Sequence, residues 1–263
     1  MRIVVCVKHV PDAQSDRRFG ADHTVDRGNL DGLLSELDEY AVEQALALAE
    51  THEGSTVTVL TVGPDAAADA VRKALQMGAD AGVHVLDDAI HGSDAFATSL
   101  VLARAAETLE YDIVMTGMAS TDAGMSVVPA LLAARLGLPQ VTFAGTLDID
   151  GNGPGARVVI ERDSDAYTEV VESALPALVS VTDQINEPRY PSFKAIMAAK
   201  KKPLTTLSLA DLGVDPSQVG LAAAWSTVSD ITRRPPRAAG TLVTDEGDGG
   251  AKLMEYLAGA KLV

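Results

Sequence analysis

The sequence predicts an α/β protein built on a doubly wound, mainly parallel sheet, with an extended arm at its C-terminus. In the first half, short β-branched runs alternate with amphipathic stretches of helical length. The runs are apolar throughout, which is typical of strands that are buried on both faces. Hydrophobic residues make up 47% of the chain and aromatic residues only 4%, so we expect an aliphatic core between helices and a sheet with right-handed crossovers.

The elements of the first half follow one another in regular order. The predicted strands are Arg2–Val7, Thr56–Val62, Gly82–Leu86 and Asp112–Thr116, and the predicted helices are Asp38–Glu50, Asp65–Met77, Ser93–Leu109 and Asp122–Leu136. From Gln140 to Val181 the pattern changes. Alternating segments lie around Val158–Glu161, Glu169–Val171 and Leu178–Val181, after the turn-rich DIDGNGPG, and they predict a hairpin.

The end of the chain differs in composition from the rest. Residues 1–224 are interpreted as one nucleotide-binding α/β domain, and residues 225–263 as an arm. The arm contains the Arg-Pro stretch RRPPR, the loop DEGDGG and a last short helix. Because so short an extension has little core of its own, we expect it to pack on a partner subunit; a flexible tail is the alternative.

Charge and composition exclude several classes of protein. The formal net charge of −16 opposes binding to nucleic acid or to an anionic membrane surface. No apolar run approaches the roughly 18 residues of a membrane span, so direct insertion is not expected. A single cysteine cannot form an intramolecular disulfide, and the N-terminus lacks the features of a signal peptide. These observations predict a cytoplasmic protein.

Four loops at the carboxyl ends of the predicted strands are candidate ligand-binding segments. They are Cys6–Asp12, Ser35–Asp38, Val62–Asp65 and Thr116–Val128. The last reads TGMASTDAGMSV, in which small residues and hydroxyls allow close approach of a phosphate ahead of a helix N-terminus. It predicts an adenine nucleotide site, although a loop without a Walker lysine or GxGxxG is also compatible with an ordinary strand-to-helix turn.

The segment from residue 186 to residue 203, NEPRYPSFKAIMAAKKKP, has the pattern of a docking element and is called the docking segment below. Its prolines predict an extended connection, followed by a helix that Ser192 caps. Phe193, Ile196 and Met197 form an apolar stripe, and Lys200–Lys202 complement the C-terminal end of the same helix dipole. The alternative is an ordinary helix whose stripe packs on its own domain.

Residues with catalytic or metal-binding chemistry do not group in the sequence. The five histidines share no ligand spacing, and one cysteine cannot build a thiolate site. We therefore expect neither a metal site nor catalytic residues. Lys8 and Asp12 are interpreted as phosphate-binding or structural residues rather than an acid–base pair. Ser93 or Asp94 is expected to cap a helix.

The docking segment and the loop around Asp122 resemble the beta subunit of electron transfer flavoproteins. NEPRY before a lysine-rich helix end is the most specific part, and GMASTDAGMSVVPALLAARLGLPQVTF is similar to the family segment that wraps a bound AMP. The resemblance implies a fold of the adenine nucleotide alpha hydrolase-like type. The AMP contacts that it implies are Cys6, Ser35, Glu36, Leu37, Asp38, Val62, Gly117, Asp122, Ala123, Gly124, Met125, Ser126, Val127 and Val128.

The same resemblance implies partners. An alpha subunit would hold most of an FAD, dehydrogenases of the acyl-CoA dehydrogenase type would deliver electrons, and a membrane quinone oxidoreductase would receive them. The implied partner-binding residues are Asp163, Tyr190, Phe193, Ile196 and Met197. Phe193 stands where the family most often has leucine, and Asp163 stands where glutamate is usual and would pair with an arginine of the alpha subunit.

Two departures from the family pattern leave alternatives open. The acidic run after the glycine loop is thinned to Asp122, Ala123 and Gly124, and Ala13 replaces an aromatic residue found near the flavin in some members. Bifurcating members hold a second FAD in place of AMP. Outside the family, a freestanding adenine-nucleotide-binding regulator of the universal-stress type or an adenylate-using hydrolase or ligase shares the α/β layout.

Overall fold

A computed structural model describes residues 1–16, 18–27, 31–151 and 155–263. The chain divides into two compact units, Met1–Ser229 and Asp230–Val263. The first unit contains the sheet and both candidate sites. The second unit contains one helix, and its large apolar side chains are exposed, with Leu242 93% and Tyr256 66% accessible.

The strands and helices follow the order that the sequence predicts in the first half and add several elements in the second. The strands are β1 Arg2–Cys6, β2 His9–Pro11, β3 Gly32–Leu34, β4 Thr56–Val62, β5 Ala81–Val85, β6 Ile113–Gly117, β7 Gln140–Ala144, β8 Thr146–Asp150, β9 Arg157–Asp163, β10 Thr168–Ala174, β11 Ala177–Val181 and β12 Leu204–Leu207. The α-helices are α1 Glu36–Thr51, α2 Ala68–Met77, α3 Ala95–Ala106, α4 Val128–Leu136, α5 Phe193–Ala199 and α6 Gly249–Gly259. Short 3-10 turns cover Asp65–Ala67, Asp88–Ile90, Pro216–Gln218 and Leu221–Ala223.

The central sheet has seven strands in the order β12-β5-β4-β1-β6-β11-β7, and every pair is parallel. From β1 the chain first adds β4 and β5 on one side and later adds β6 on the other. The direction of winding therefore reverses between β1 and β6. Ligands of doubly wound sheets bind in the crevice outside the strand ends at this switch point.

Helices cover both faces of the sheet. Ile3 and Val5 of β1 point to the face that α1 and α2 cover, while Val4 and Cys6 point to the opposite face, with α3 and α4. This alternation within one fully apolar strand is the arrangement that burial on both faces requires. The predicted doubly wound α/β fold is thus confirmed.

Three predictions about elements were wrong. The fourth helix begins at Val128 and not at Asp122, because Gly124 and Ser126 adopt positive φ angles of 61° and 55° that a right-handed helix excludes. The segment around Leu178–Val181 is not part of a hairpin: β11 is fully buried and lies between β6 and β7 in the central sheet. No strand was predicted after Pro203, whereas Leu204–Leu207 form β12, an edge strand that pairs with β5.

A second, antiparallel sheet supplies the predicted hairpin. Strands β8, β9 and β10 pair in order, with Asp163 opposite Thr168 at the tip of the β9–β10 hairpin. The predicted cap at the start of α3 is also confirmed, since the Asp94 carboxylate accepts a hydrogen bond from the Ala97 N–H at 3.0 Å. Among the residues that the structure describes, no helix is long and apolar enough to cross a membrane.

Candidate functional site

The crevice at the switch point is built around the buried carboxylate of Asp38, in the first turn of α1. Its oxygens accept hydrogen bonds from the backbone N–H of Lys8, at 2.8 Å, and from that of Gly117. Lys8 follows β1 and Gly117 ends β6, so one side chain joins the loops on both sides of the switch. Ser35 adds a further link, because its N–H donates to the Lys8 carbonyl at 2.9 Å.

Burial dominates the electrostatics of Asp38. The residue is 6% exposed, and removal from water raises the pKa of its carboxyl to about 7, against the opposing effect of the hydrogen bonds from Lys8 and Gly117. Near neutral pH this carboxyl therefore exchanges between charged and neutral forms. Cys6 is buried as well, and its burial, together with the charge of Asp38, raises the pKa of its thiol to about 12. Cys6 is therefore a small apolar group at the base of the crevice and not a nucleophile.

Gly117 marks where the two walls of the crevice approach most closely. A Cβ atom at this position would lie 2.7 Å from both the Asp38 Oδ1 and the Leu37 carbonyl oxygen. No side chain fits there without displacing α1. The glycine is therefore required by the contact between the end of β6 and the first turn of α1.

A cluster of charges lies on the rim of the crevice. Asp122 accepts from Lys8 Nζ at 2.8 Å and from Arg27 Nη2 at 2.6 Å, and its own side chain is only 2% exposed. Although burial alone would raise the pKa of Asp122, the two cations hold it well below its usual range. Lys8 and Arg27 keep 39% and 30% of their side chains exposed, so the outer surface of the cluster is cationic.

Thr116 provides an unsatisfied polar atom at the end of β6. Its hydroxyl is buried and has no hydrogen-bond partner within the described part of the chain. Since buried hydroxyl groups are almost always paired, a water or a polar ligand is the expected partner.

The structure brings the predicted nucleotide-binding residues to one edge of the sheet. Cys6, Val62 and Gly117 end neighbouring strands β1, β4 and β6. The residues Ser35, Glu36, Leu37 and Asp38 form the start of α1 instead of a loop before it. A loop leads into α4, which starts at Val128; it consists of Asp122, Ala123, Gly124, Met125, Ser126 and Val127. Of these residues, Ala123, Gly124 and Met125 are exposed.

Asp163 lies on a different element, at the end of β9. It lines a cavity of about 410 Å³ together with Phe143, Arg162 and Thr182. Within the chain its carboxylate accepts a hydrogen bond from the Thr168 hydroxyl, and Arg162 pairs with Glu169 at 2.6 Å. The implied pairing of Asp163 with an arginine of another subunit stays a prediction.

The docking segment presents its apolar stripe to solvent. Ser192 caps α5 as predicted, accepting from the Ala195 N–H at 3.2 Å. Tyr190 is 94% exposed, Phe193 79% and Met197 47%, while Ile196 is half-buried. The alternative in which this stripe packs on its own domain does not describe Phe193, and Tyr190 before the helix is also exposed.

Two contacts of the docking segment were not anticipated from the sequence. Arg189 forms ion pairs with Glu43 and Glu50 of α1. Lys202 was expected to complement the dipole of its own helix, and that was wrong: its ammonium donates to the carbonyls at the end of α2. Glu43 and Glu50 lie two turns apart on one helix face, and this spacing could have indicated a site for the Arg189 side chain.

Histidine side chains contact backbone and carboxylate groups in the described part of the chain. Among the described residues no group of three or more histidine, cysteine, aspartate or glutamate side chains is arranged to hold a metal ion. His84 instead hydrogen-bonds the Gly63 carbonyl at 2.9 Å, and His91 pairs with Asp22 at 2.8 Å. These contacts are structural.

Comparison with known proteins gives a consistent result. The family model described as electron transfer flavoprotein domain matches residues 22–212. The electron transfer flavoprotein subunit beta of Mycobacterium leprae is 48% identical over 268 residues, covering 99% of each chain. The proteins of the same name from Syntrophomonas wolfei and Megasphaera elsdenii are 36% and 31% identical, over 98% and 100% of this chain and 96% and 100% of their own.

Proposed function

We propose that this chain, which belongs to the electron transfer flavoprotein family as a beta subunit, accepts electrons from acyl-CoA dehydrogenase-type enzymes through an FAD that an alpha subunit holds. The electrons then pass to a membrane quinone oxidoreductase, and the complex works in the cytoplasm. The beta subunit of a two-subunit carrier implies the alpha subunit. The chain itself contributes binding and positioning rather than catalytic residues.

AMP is the ligand that best fits the crevice at the switch point. The unpartnered Thr116 hydroxyl calls for a polar partner at the end of β6, where Gly117 allows the first turn of α1 to lie close to the strand end. The cationic rim of Lys8 and Arg27 suits a phosphate. The first turn of α1 and the loop from Asp122 to Val128 would hold the nucleotide, which acts as a structural ligand.

FAD supplies the one- and two-electron chemistry when the alpha subunit is present. This chain's contribution lies in Asp163, whose carboxylate borders an open cavity and suits an arginine of the alpha subunit. The arm predicted over residues 225–263 would pack on that subunit, since the part of it that forms the second unit, Asp230–Val263, leaves Leu242, Leu253 and Tyr256 exposed.

The single observation that carries the docking role is the exposure of Phe193. A phenyl ring that is 79% accessible on a capped helix has the geometry of an anchor for a pocket on a visiting enzyme. Tyr190, Ile196 and Met197 surround it on the same segment. Electron acceptance would then depend on insertion of Phe193 into the dehydrogenase.

The experiment that tests the proposal is to co-express the chain with the alpha subunit of the same organism and purify the complex. Denaturation followed by chromatography identifies the released nucleotides. One FAD with one AMP supports the proposal, whereas two FAD per heterodimer would indicate the bifurcating type. A chain that stays monomeric and indifferent to the alpha subunit would overturn it in favour of a freestanding regulator, and turnover of the AMP would favour a hydrolase or ligase.

A further inference from the structure

The geometry points to Arg189 and Lys202 as positioning residues that hold the docking segment preformed for a protein partner with an apolar pocket and carboxylates on its rim. This inference rests on the proposed function, because it concerns how the same segment meets a dehydrogenase. It assigns a role to two side chains that themselves face away from the exposed stripe.

Arg189 fixes the start of the segment to α1. Its Nε and Nη2 donate to the two oxygens of Glu43, at 2.7 and 2.9 Å, and its backbone N–H donates to Glu43 Oε2 at 3.1 Å. The guanidinium also pairs with Glu50. Glu43 is buried and Arg189 keeps 33% of its side chain exposed, so this is a bidentate ion pair in a partly buried setting, with the directional rigidity that such pairs provide.

Lys202 fixes the end of the segment to α2. Its ammonium donates to the carbonyls of Leu75, Gly78 and Ala79 at 3.1, 2.8 and 2.6 Å. These carbonyls end α2, where the helix dipole favours a cation. One lysine thereby uses all three of its donors to join the C-terminal side of α5 to another helix.

Between these two anchors lie the exposed side chains. Tyr190 immediately follows Arg189, and Phe193 and Met197 lie on α5, before Lys202. A segment that is already held in its bound shape loses less conformational entropy when a partner binds. The ion pairs of Arg189 and the contact of Lys202 with the end of α2 should therefore affect the binding of the partner and not the binding of the flavin.

The charge around the stripe defines the partner. Lys194, Lys200 and Lys201 are exposed on a chain whose net charge is −16. Exposed lysines on the same segment as an apolar stripe are complementary to a pocket bordered by carboxylates. They would also orient the approach of such a partner to a chain that is otherwise acidic.

The first test uses Arg189→Ala and Lys202→Met in the purified heterodimer, with an acyl-CoA dehydrogenase from the same organism as electron donor. We expect the KM for the heterodimer to rise roughly tenfold in each variant while kcat stays within about twofold, because ordering of the segment is then required on binding. Hydrogen exchange of the amides in residues 190–199 should become faster. FAD and AMP contents should not change.

Arg189→Lys and Arg157→Ala complete this test. Lysine cannot make the bidentate contact, so Arg189→Lys should remain impaired. Arg157 pairs with Glu172 in the three-stranded sheet at 3.0 Å, so Arg157→Ala removes an ion pair elsewhere and should leave KM unchanged. An unchanged KM in Arg189→Ala and Lys202→Met, or a loss of kcat and flavin content together with KM, would overturn the positioning role.

The second test addresses the carboxylates of the partner. In the wild-type heterodimer KM should rise with ionic strength, and in the double variant Lys200→Glu/Lys201→Glu it should be raised at low salt and fall as salt screens the repulsion. A KM that changes neither with salt nor in the double variant would contradict the inference that carboxylates border the partner's pocket. Failure of the wild-type heterodimer to accept electrons from any dehydrogenase would overturn the proposed function itself; transfer that Phe193→Ala slows and Arg189→Ala does not would overturn only the present inference.

Discussion

The crevice at the switch point and the docking segment are built in opposite ways. In the crevice the groups that hold the fold together are also those that would face the proposed nucleotide: Asp38 is 6% exposed and joins two strand ends, and the Asp122 side chain is 2% exposed. In the docking segment the holding groups and the contact groups are separate, since Arg189 binds α1 while Phe193 extends into solvent. Substitutions in the crevice should therefore change stability and binding together, and substitutions in the segment should change them independently.

The largest expected effect on stability is that of Asp122→Asn. The substitution removes the buried carboxylate that pairs with both Lys8 and Arg27, and because these two cations are partly exposed, the loss should cost about 2–3 kcal/mol of the free energy of unfolding. Urea denaturation of the heterodimer measures it. Asp148→Asn, at an exposed position of β8, is the matched control. A loss no larger than that of the control would break the distinction between the two regions.

Gly117→Ala should have the next largest effect. The added methyl group would contact the Leu37 carbonyl and the Asp38 carboxylate at 2.7 Å, and overpacking of this kind costs about 1–3 kcal/mol. The chromatographic assay should also recover less AMP from the variant. Gly240→Ala, where the added carbon meets no atom within 4 Å, should leave both quantities unchanged; full AMP occupancy in Gly117→Ala would show that the crevice tolerates a wider separation of its walls.

The pH dependence of stability should separate Asp38 from Asp122. Burial raises the folded-state pKa of Asp38 to about 7 from about 3.8, so the folded state binds the extra proton and stability falls as pH rises through this interval, by at most about 1.4 kcal/mol per pH unit. Asp38→Asn should remove that slope. Asp122 has a lowered pKa, so its stabilising contribution is present above about pH 4 and is lost only in acid. Parallel unfolding titrations of wild type and Asp38→Asn decide this, and identical slopes would contradict it.

The smallest effect on stability is expected for Phe193→Ala. A side chain that is 79% exposed should contribute less than about 0.5 kcal/mol to folding, yet electron acceptance from the dehydrogenase should slow about tenfold or more if the ring is an anchor. Val170→Ala, also an exposed apolar residue at 67%, should alter neither. The transfer rates are measured by stopped-flow reduction of the flavin. Equal rates in both variants would contradict the role of Phe193 as an anchor.

Much of the fold follows from local pattern. The first four predicted strands match β1, β4, β5 and β6 within one residue at each end, because fully apolar runs between amphipathic helices have few other arrangements. The segment Leu178–Val181 was predicted to belong to a hairpin because it follows two alternating segments. Its actual position depends on long-range pairing with β6 and β7, which no local window contains.

The candidate site shows the same limit. The docking stripe and the Ser192 cap are contained within a few residues of sequence and were predicted. The ion pair of Arg189 with Glu43 joins residues 146 positions apart, and the cluster of Lys8, Arg27 and Asp122 joins three separate loops. The sequence indicated Lys8 as a phosphate or structural residue, but its partner is set by the switch in strand order.

The position of β11 also bears on how the polypeptide is synthesised. β7 pairs only with β11 in the central sheet, and β11 leaves the ribosome after the three antiparallel strands that precede it. A nascent chain that ends before residue 177 thus carries an edge at β6 that its own later sequence must fill. Cotranslational folding of this subunit should accordingly proceed by early local closure of the small sheet, with completion of the large one delayed until translation has passed β11.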